Sequence, residues 1–575
     1  MTFGSAARRS RSMRWRRRLG RRAAMATVMS LIATLTTLGG VRADAAQVGT
    51  AHAADASYVP LSGSGSTWSQ NAINAWAANV QQYGMVIHYN GLGSTFGRMQ
   101  FKQGSVDWAA SDIPYGVQDG TNFDPPPTTR GFAYMPDTAG GTTFMYNLNI
   151  GTRRVTNLRL SGENIAKIFT GVLKKWNDPA IKKDNPGLNL PAIKIVPVVR
   201  GDGSGATAQF TQWMLATQGS LWRAYCTKVN RNPCTQTSAY PVVPGSGMVA
   251  QNGDLGVSGY VSQRQAVGTI GYVEFSYAIQ AGFPVAKVLN RAGYYTEPTA
   301  GHVAVSLLKA QINMDKTNPN TYLTQNLSQV YSNSDPRTYE LSSYSYMILP
   351  TTTGFGGLTT SKGFTLGDFG KYLLCQGQNQ VDSLGYSALP INLVQAGFDQ
   401  LRTIPGAAIP NINIRTCNNP TFSTDGTNTL ARNDPMPPAC DKQGPTQCVT
   451  GTGGAKTPTP VTNGAGGATT ATPGATNGAS GPNAPAGGLP LGGSGPLVPC
   501  DPDTGACDTG TANAAGEQQV DGLPTATGTN LGDGLEIALM AIAAVLLLAV
   551  ALTPPLIAQG AANRRARRNR DGGVA

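Results

Sequence analysis

The sequence predicts an α/β fold, and three features carry that prediction. Short apolar runs alternate with stretches of helical period through residues 57–410. Glycine- and serine-rich turns stand where an apolar run gives way to a helical stretch. The chain has 575 residues, too many for one ordinary domain, which leaves room for two lobes plus extensions. Its 40 % hydrophobic content is enough for a sizeable core.

Taken in order, residues 69–83 carry Ile73, Trp76, Ala77 and Val80 at helical spacing. Residues 85–89 alternate like a strand, 91–94 form a turn, and 95–102 open a second helix. Residues 143–148 read as a strand and 161–169 as a helix. Residues 193–199 form the next strand and 208–216 the next helix. Residues 270–273 and 303–307 add two further strands. Such alternation favours α/β architecture over a sandwich.

Between the strand at 193–199 and the helix at 208–216 lies RGDGSGAT (200–207). Its glycines permit a tight turn and a close approach of backbone to a ligand. Ser204 and Thr207 offer hydroxyls and N–H groups at the helix start. Arg200 adds a fixed fork of donors suited to an oxyanion. Together they describe an anion seat at a helix N-terminus. The bland alternative is a glycine-rich surface turn with a solvated Arg–Asp pair. The spacing fits neither a dinucleotide fingerprint nor a nucleotide P-loop, since no Lys-Ser/Thr follows. Asp202 would repel an anion unless it orients Arg200.

Two more turns have the same form. Residues 63–68 precede the first helix and 91–95 the second. Open α/β sheets bind ligands at the carboxyl ends of their strands, where all three turns belong. Asp112 ends another strand-like run, 107–112. Taken alone it is a turn or cap residue. Beside an anion seat it becomes a selectivity device, because an ionised carboxylate only accepts hydrogen bonds. It takes one from a protonated phosphate and repels sulfate, which has no proton to give. Trp68 is placed to wall a pocket, whereas Trp76, Trp108, Trp176 and Trp213 read as core, and Lys174 and Lys175 as solvent-facing.

The net charge of +13 belongs to the ends and not to a nucleic-acid surface. Residues 1–22 hold nine arginines, and Arg564, Arg565, Arg567, Arg568 and Arg570 form a second cluster; without these fourteen charges the remainder is −1. The first cluster precedes an apolar stretch and a small-x-small site at Ala43-Asp44-Ala45, so residues 1–45 read as a signal peptide. Arg21-Arg22 also fits a twin-arginine signal, and the alternative is a retained membrane helix. Residues 537–557 are long and apolar enough to span a bilayer, and the following basic tail, 558–575, belongs in the cytoplasm. The body is then exported and held at the outer face of the membrane by one C-terminal pass. Residues 451–530 read as a low-complexity spacer, with its Thr-Pro repeat at 456–460 open to glycosylation, and 411–450 as a cysteine-containing extension. The eight cysteines suit an oxidising space, with Cys226–Cys234 and Cys500–Cys507 as short bridges. No Cys-x-x-Cys occurs and the three histidines are scattered, which argues against a metal site.

These residues resemble the periplasmic-type phosphate-binding proteins of the phosphate ABC transporter. The matching pieces are GSGSTW (63–68), YNGLGSTFGRMQF (89–101), VDWAASDIP (106–114), IFTGVLKKWNDPAI (168–181), RGDGSGAT (200–207), GTIGYVEFSYA (268–278) and LGYSALP (384–390). The resemblance implies a type II two-lobe binding fold with a hinged cleft that closes on one phosphate. One lobe is then 57–134 with 280–410, and the other 135–279. It further implies phosphate ligands at Thr67, Trp68, Ser94, Asp112, Arg200, Ser204, Gly205 and Ala206. Asp112 accepts the phosphate proton, Asp202 pairs with Arg200, and Thr207 supports the turn. The implied partners are permease subunits in the membrane, with no cofactor. Two positions depart from the family: Ala206 stands where threonine is common, and Trp68 where phenylalanine is usual.

Three rival readings remain. A secreted phosphatase with Ser204 or Thr67 as nucleophile lacks a histidine nearby in sequence, and an activated nucleophile needs a base. A surface adhesion or phosphate-sensing module on the same fold would account for the tether. A binder of another tetrahedral oxyanion differs at the proton-reading position, Asp112. The expectation is therefore a binding protein and not an enzyme.

Overall fold

A fifteen-residue strand, Phe132–Tyr146, is buried along its whole length and ties two halves of one sheet together. It belongs to a computed structural model that describes residues 57–461, apart from 120–121, 412–416, 418 and 424. The expected signal segment, the membrane span at 537–557, the basic tail and the Cys500–Cys507 bridge lie outside the described residues. In chain order the elements around the long strand are β1 (Leu61–Gly65), α1 (Gln70–Val80), β2 (Ile87–Gly91), α2 (Ser94–Gln103), β3 (Trp108–Ser111) and the long strand itself, β4. Then come β5 (Val196–Arg200), α3 (Gly205–Thr217), β6 (Val249–Gln251), α4 (Gly253–Val261), β7 (Thr269–Glu274), β8 (Val285–Leu289) and β9 (Ser342–Pro350).

The strand order is β6-β5-β7-β4-β9-β3-β1-β2. At one end β1 pairs in parallel with β2 and β3. At the other, β5 pairs in parallel with β6 and β7. The centre is antiparallel, with β4 between β7 and β9. Each half therefore repeats a strand followed by a helix, and each helix starts at the carboxyl end of a strand. The α1 helix forms because Ala72, Ile73, Trp76, Ala77 and Val80 bury one face at helical spacing. One core gathers Trp76, Trp108, Met135 and Tyr346. The other gathers Phe144, Phe169, Phe210 and Tyr272. β4 gives Met135 to the first and Phe144 to the second, so it passes from one lobe into the other.

Four expectations need correction. The lobe boundary at 279/280 falls too early: β8 pairs with β4 at Val285↔Met145, and Val288, Val330, Tyr339 and Leu341 sit in the second core. At the other boundary, Met135 and Ala139 pack with the first lobe. Residues 303–307 are not a strand but part of a helix, Ala300–Leu307, whose Thr299 side chain accepts from His302 N–H. Val303, Ala304 and Val305 are all buried, and an all-round apolar run has no period to distinguish strand from helix. The spacer does not begin at 451. Thr452 Oγ1 donates to Val285 O at 2.6 Å, and Thr459 is buried with its hydroxyl 2.8 Å from that of Thr156, so burial closes Thr459 to glycosylation.

Residues 440–461 thus form a strap along the second lobe, fastened by bonds that composition does not reveal. Asn157 Nδ2 donates to Cys448 O at 2.8 Å, and Arg159 Nη1 donates to Cys440 O and Thr446 O. Bridges join Cys226 to Cys234, Cys375 to Cys417 and Cys440 to Cys448. The second ties the extension to the helix Thr360–Leu374, and the third closes a loop within the strap. Lys287 Nζ lies 2.5 Å from Asp441 Oδ2, with Asp441 buried. Replacing Lys287 by Met leaves that carboxylate unpaired, and the expected loss is about 3–5 kcal/mol by denaturant unfolding. An unchanged midpoint would show that the strap does not hold the second lobe.

Candidate anion-binding site

The turns that follow β1, β2, β3, β5 and β6 converge where the two lobes meet. Thr95 N–H donates to Gly203 O at 3.0 Å, so the turn before α2 touches the turn before α3. A Cβ on Gly205 would lie 2.5 Å from Asp112 Oδ2 and 2.6 Å from Ser94 Oγ, so that approach requires glycine. Gly93, with φ of 94°, is equally restricted: its Cβ would lie 2.6 Å from Asp202 Oδ2. The structure thus brings Thr67, Trp68, Ser94, Asp112, Arg200, Asp202, Ser204, Gly205, Ala206 and Thr207 to one buried junction. Two large cavities among the described residues lie elsewhere, one of about 540 Å³ beside Tyr58 and Tyr372 and one of about 640 Å³ beside Arg130 and Tyr322.

At the head of α3, Ser204 is the N-cap and its Oγ accepts from Thr207 N–H. Ser204 N–H donates to Ser238 O at 2.9 Å. Gly205 and Ala206 occupy the first turn, where helix geometry leaves N–H groups without a carbonyl partner. They are backbone donors available at the junction. Thr207 does not offer the free groups expected of it: its N–H serves the cap and its hydroxyl pairs with Tyr272 Oη at 2.7 Å. Trp68 N–H likewise donates to Ser66 Oγ at 3.1 Å, and its indole N–H to Thr142 Oγ1 at 3.2 Å.

Arg200 is 2 % exposed and is bonded by two carboxylates. Its Nε donates to Asp202 Oδ1 at 2.7 Å and its Nη1 to Asp254 Oδ2 at 2.5 Å. Burial works against the guanidinium charge, but Asp254 and then Asp202 outweigh it and hold the proton more tightly than usual. Burial also works against the charge of Asp202; the bonds from Arg200 and Gly253 N–H bring its carboxyl below the ordinary range. Asp112 is different. Burial pushes its carboxyl up to about 6, against the hydroxyls of Ser66 at 2.6 Å and Ser94 at 3.0 Å, which favour the charge. At neutral pH it remains mostly an acceptor.

Sequence reasoning missed Asp254, Ser66 and the cross-lobe contacts of Asp119. Asp119 pairs with Arg231 and accepts from Ser238 N–H and Oγ, both at 2.8 Å, and Ser238 is the residue whose carbonyl holds Ser204 N–H. A fourth turn, Asn252-Gly253-Asp254, has the same form as the other three. Its strand, β6, is only three residues long, too short to register as an apolar run.

The raised carboxyl of Asp112 has a consequence for stability. Its folded value lies above the ordinary carboxylate value, so its contribution is fully present below about pH 4 and is lost as the pH rises through about 6. In phosphate-free buffer, the stability difference between wild type and Asp112→Asn should shift by at most ~3 kcal/mol in favour of the variant from pH 4 to pH 7. Urea unfolding at the two pH values checks this, and a constant difference contradicts it.

Residues 41–376 match the family described as a PBP superfamily domain. The phosphate-binding protein PstS of Xylella fastidiosa is 32 % identical over 359 residues, covering 62 % of this chain and 88 % of that protein. The phosphate-binding protein PstS of Methanocaldococcus jannaschii is 28 % identical over 352 residues, covering 59 % and 85 %. A solved phosphate-binding protein from Stenotrophomonas maltophilia aligns over 62 % of this chain and 98 % of its own, with 16 % identity and a TM-score of 0.44. The family match takes in more than half of the chain, which belongs to the PBP superfamily, among the PstS phosphate-binding proteins.

Proposed function

We propose that the protein captures inorganic phosphate outside the cytoplasm and delivers it to an ABC permease. Its work is binding and not catalysis. The observation that carries this reading is the pairing of one carboxylate acceptor, Asp112, with converging donors from both lobes. Arg200 and the first-turn N–H groups of Gly205 and Ala206 supply the second lobe's share, with Ser204 at the cap. Thr67 and Ser94 supply the first lobe's share through their backbone N–H groups, since their hydroxyl protons and both N–H groups of Trp68 are spent within the protein. Phosphate at neutral pH keeps at least one proton and satisfies Asp112; sulfate keeps none and leaves two acceptors facing each other.

The lobes act as jaws about the crossing strand β4 and the return through β9, and closure brings Gly205 against Ser94 and Asp112. The apolar segment 537–557 anchors the protein through one C-terminal pass, with 558–575 in the cytoplasm. The chain beyond Val461 then spaces the jaws from the membrane, so a captured ion still reaches the permease. The composition of both stretches supports this arrangement.

Calorimetric titration of the protein, freed of carried-over phosphate, should show phosphate binding at pH 7 and sulfate binding only at far higher concentration. Equal affinity for sulfate would sink the role of Asp112, and binding of neither would sink the function. A second expectation concerns Ala206. The Thr207 hydroxyl is held 2.7 Å from Tyr272 Oη in the second lobe's core and does not take the place of the side chain missing at 206. Ala206→Thr should therefore tighten phosphate by roughly 1.5 kcal/mol, about tenfold, the worth of one hydrogen bond to a charged ligand. Unchanged affinity would mean that the hydroxyl is already replaced.

A further inference from the structure

We propose that Asp254 sets the selectivity of the seat by holding Thr67 of one lobe and Arg200 of the other in a single bonded arrangement. The inference rests on the phosphate-binding reading and deepens it. Asp254 is the second residue of α4 and is 0 % exposed. Its Oδ2 accepts from Thr67 Oγ1 and from Arg200 Nη1, both at 2.5 Å. Its Oδ1 accepts from Glu274 N–H at 2.8 Å. Both oxygens are thus committed, and one of them joins groups from opposite lobes.

Two consequences follow for an anion in the seat. The first concerns donors. A threonine hydroxyl has one proton, and Thr67 gives it to Asp254 while its oxygen receives Asp254 N–H at 3.2 Å. Thr67 therefore faces a ligand as an acceptor or through its backbone, and not as a hydroxyl donor. Arg200 has five N–H groups. Asp202 takes one on Nε and one on Nη2, and Asp254 takes one on Nη1, so one N–H remains on each Nη and the guanidinium is held at all three nitrogens. Without Asp254 the guanidinium would be held by Asp202 alone, at Nε and Nη2.

The second consequence concerns charge. Asp112, Asp202 and Asp254 surround one arginine, so the ionised seat is net negative. Asp254 is the most deeply buried of the three, and solvent screens it least. A fully ionised anion meets that field unrelieved. A protonated anion offsets it by donating to an acceptor in the seat. Asp254 thus acts on discrimination between ions as well as on affinity, which a purely structural residue would not.

The test uses the full-length chain and titrates inorganic phosphate and sulfate into wild type, Asp254→Asn, Thr67→Val and the double variant. An amide has one acceptor oxygen, so asparagine cannot serve both Glu274 N–H and the Thr67–Arg200 pair. Asp254→Asn should weaken phosphate by about tenfold or more and lower the phosphate-to-sulfate affinity ratio by a similar factor. The double variant should lose little beyond Asp254→Asn alone, because the two residues share one bond. Equal effects on the two ions, or single losses that simply add, would overturn the proposal. If Asp254→Asn does not fold, Thr67→Val decides: it removes the same bond without unpairing a charge, and an unchanged ion ratio would overturn the proposal. A wild-type protein that binds neither ion sinks the phosphate reading itself. Wild-type binding with an unaltered ratio in the variants sinks only the role of Asp254.

Discussion

A buried guanidinium is the constraint on which the junction between the lobes depends. Arg200 is almost wholly removed from water, and a buried charge persists only when it is paired and hydrogen-bonded. One partner, Asp202, lies two residues along the same turn. The other, Asp254, comes from the next strand-helix unit, with Thr67 of the opposite lobe bonded to the same oxygen. Satisfying this one cation therefore fixes the start of α3, the start of α4 and the turn after β1 together. The close approach also explains glycine at 93 and 205, where any Cβ would strike a carboxylate.

The sheet supplies the frame. β4 passes from one core to the other, and the parallel strands on either side aim their carboxyl ends at the same place. Helices that start there bring unpaired N–H groups with them, which is the cheapest way to build an anion seat from backbone. Against those donors the chain sets a carboxylate, Asp112, in a dry setting. Its burial raises its proton affinity, and the hydroxyls of Ser66 and Ser94 restrain that rise. The result is an acceptor whose state at neutral pH suits a ligand that still carries a proton.

Much of the candidate site was legible because its parts are local. A strand, a Gly/Ser turn and a helix are contiguous, and the chemistry of RGDGSGAT can be read without knowing what faces it. The α/β class was legible for the same reason, from periodicity within short windows. Asp254 was not legible, since its role depends on a partner 54 residues away and another 187 residues away. The helix at Ala300–Leu307 was misread because burial on all sides erased its period. The strap at 451–461 was misread because its glycines and threonines look like a linker until their hydroxyls find Thr156 and Val285.

By itself, then, the sequence determined what depends on neighbours along the chain: the fold class, the turns and the arginine, acid and hydroxyl groups they carry. The tertiary structure alone decided which donors remain free, which carboxylate holds Arg200 from behind, where one lobe ends, and where the chain leaves the body. The physical reason is that a hydrogen-bond donor can be spent only once. Whether the Thr67 hydroxyl or the Trp68 indole has a proton left for a ligand is settled by groups from distant segments, Asp254 and Thr142, and local sequence does not say which of them arrives first.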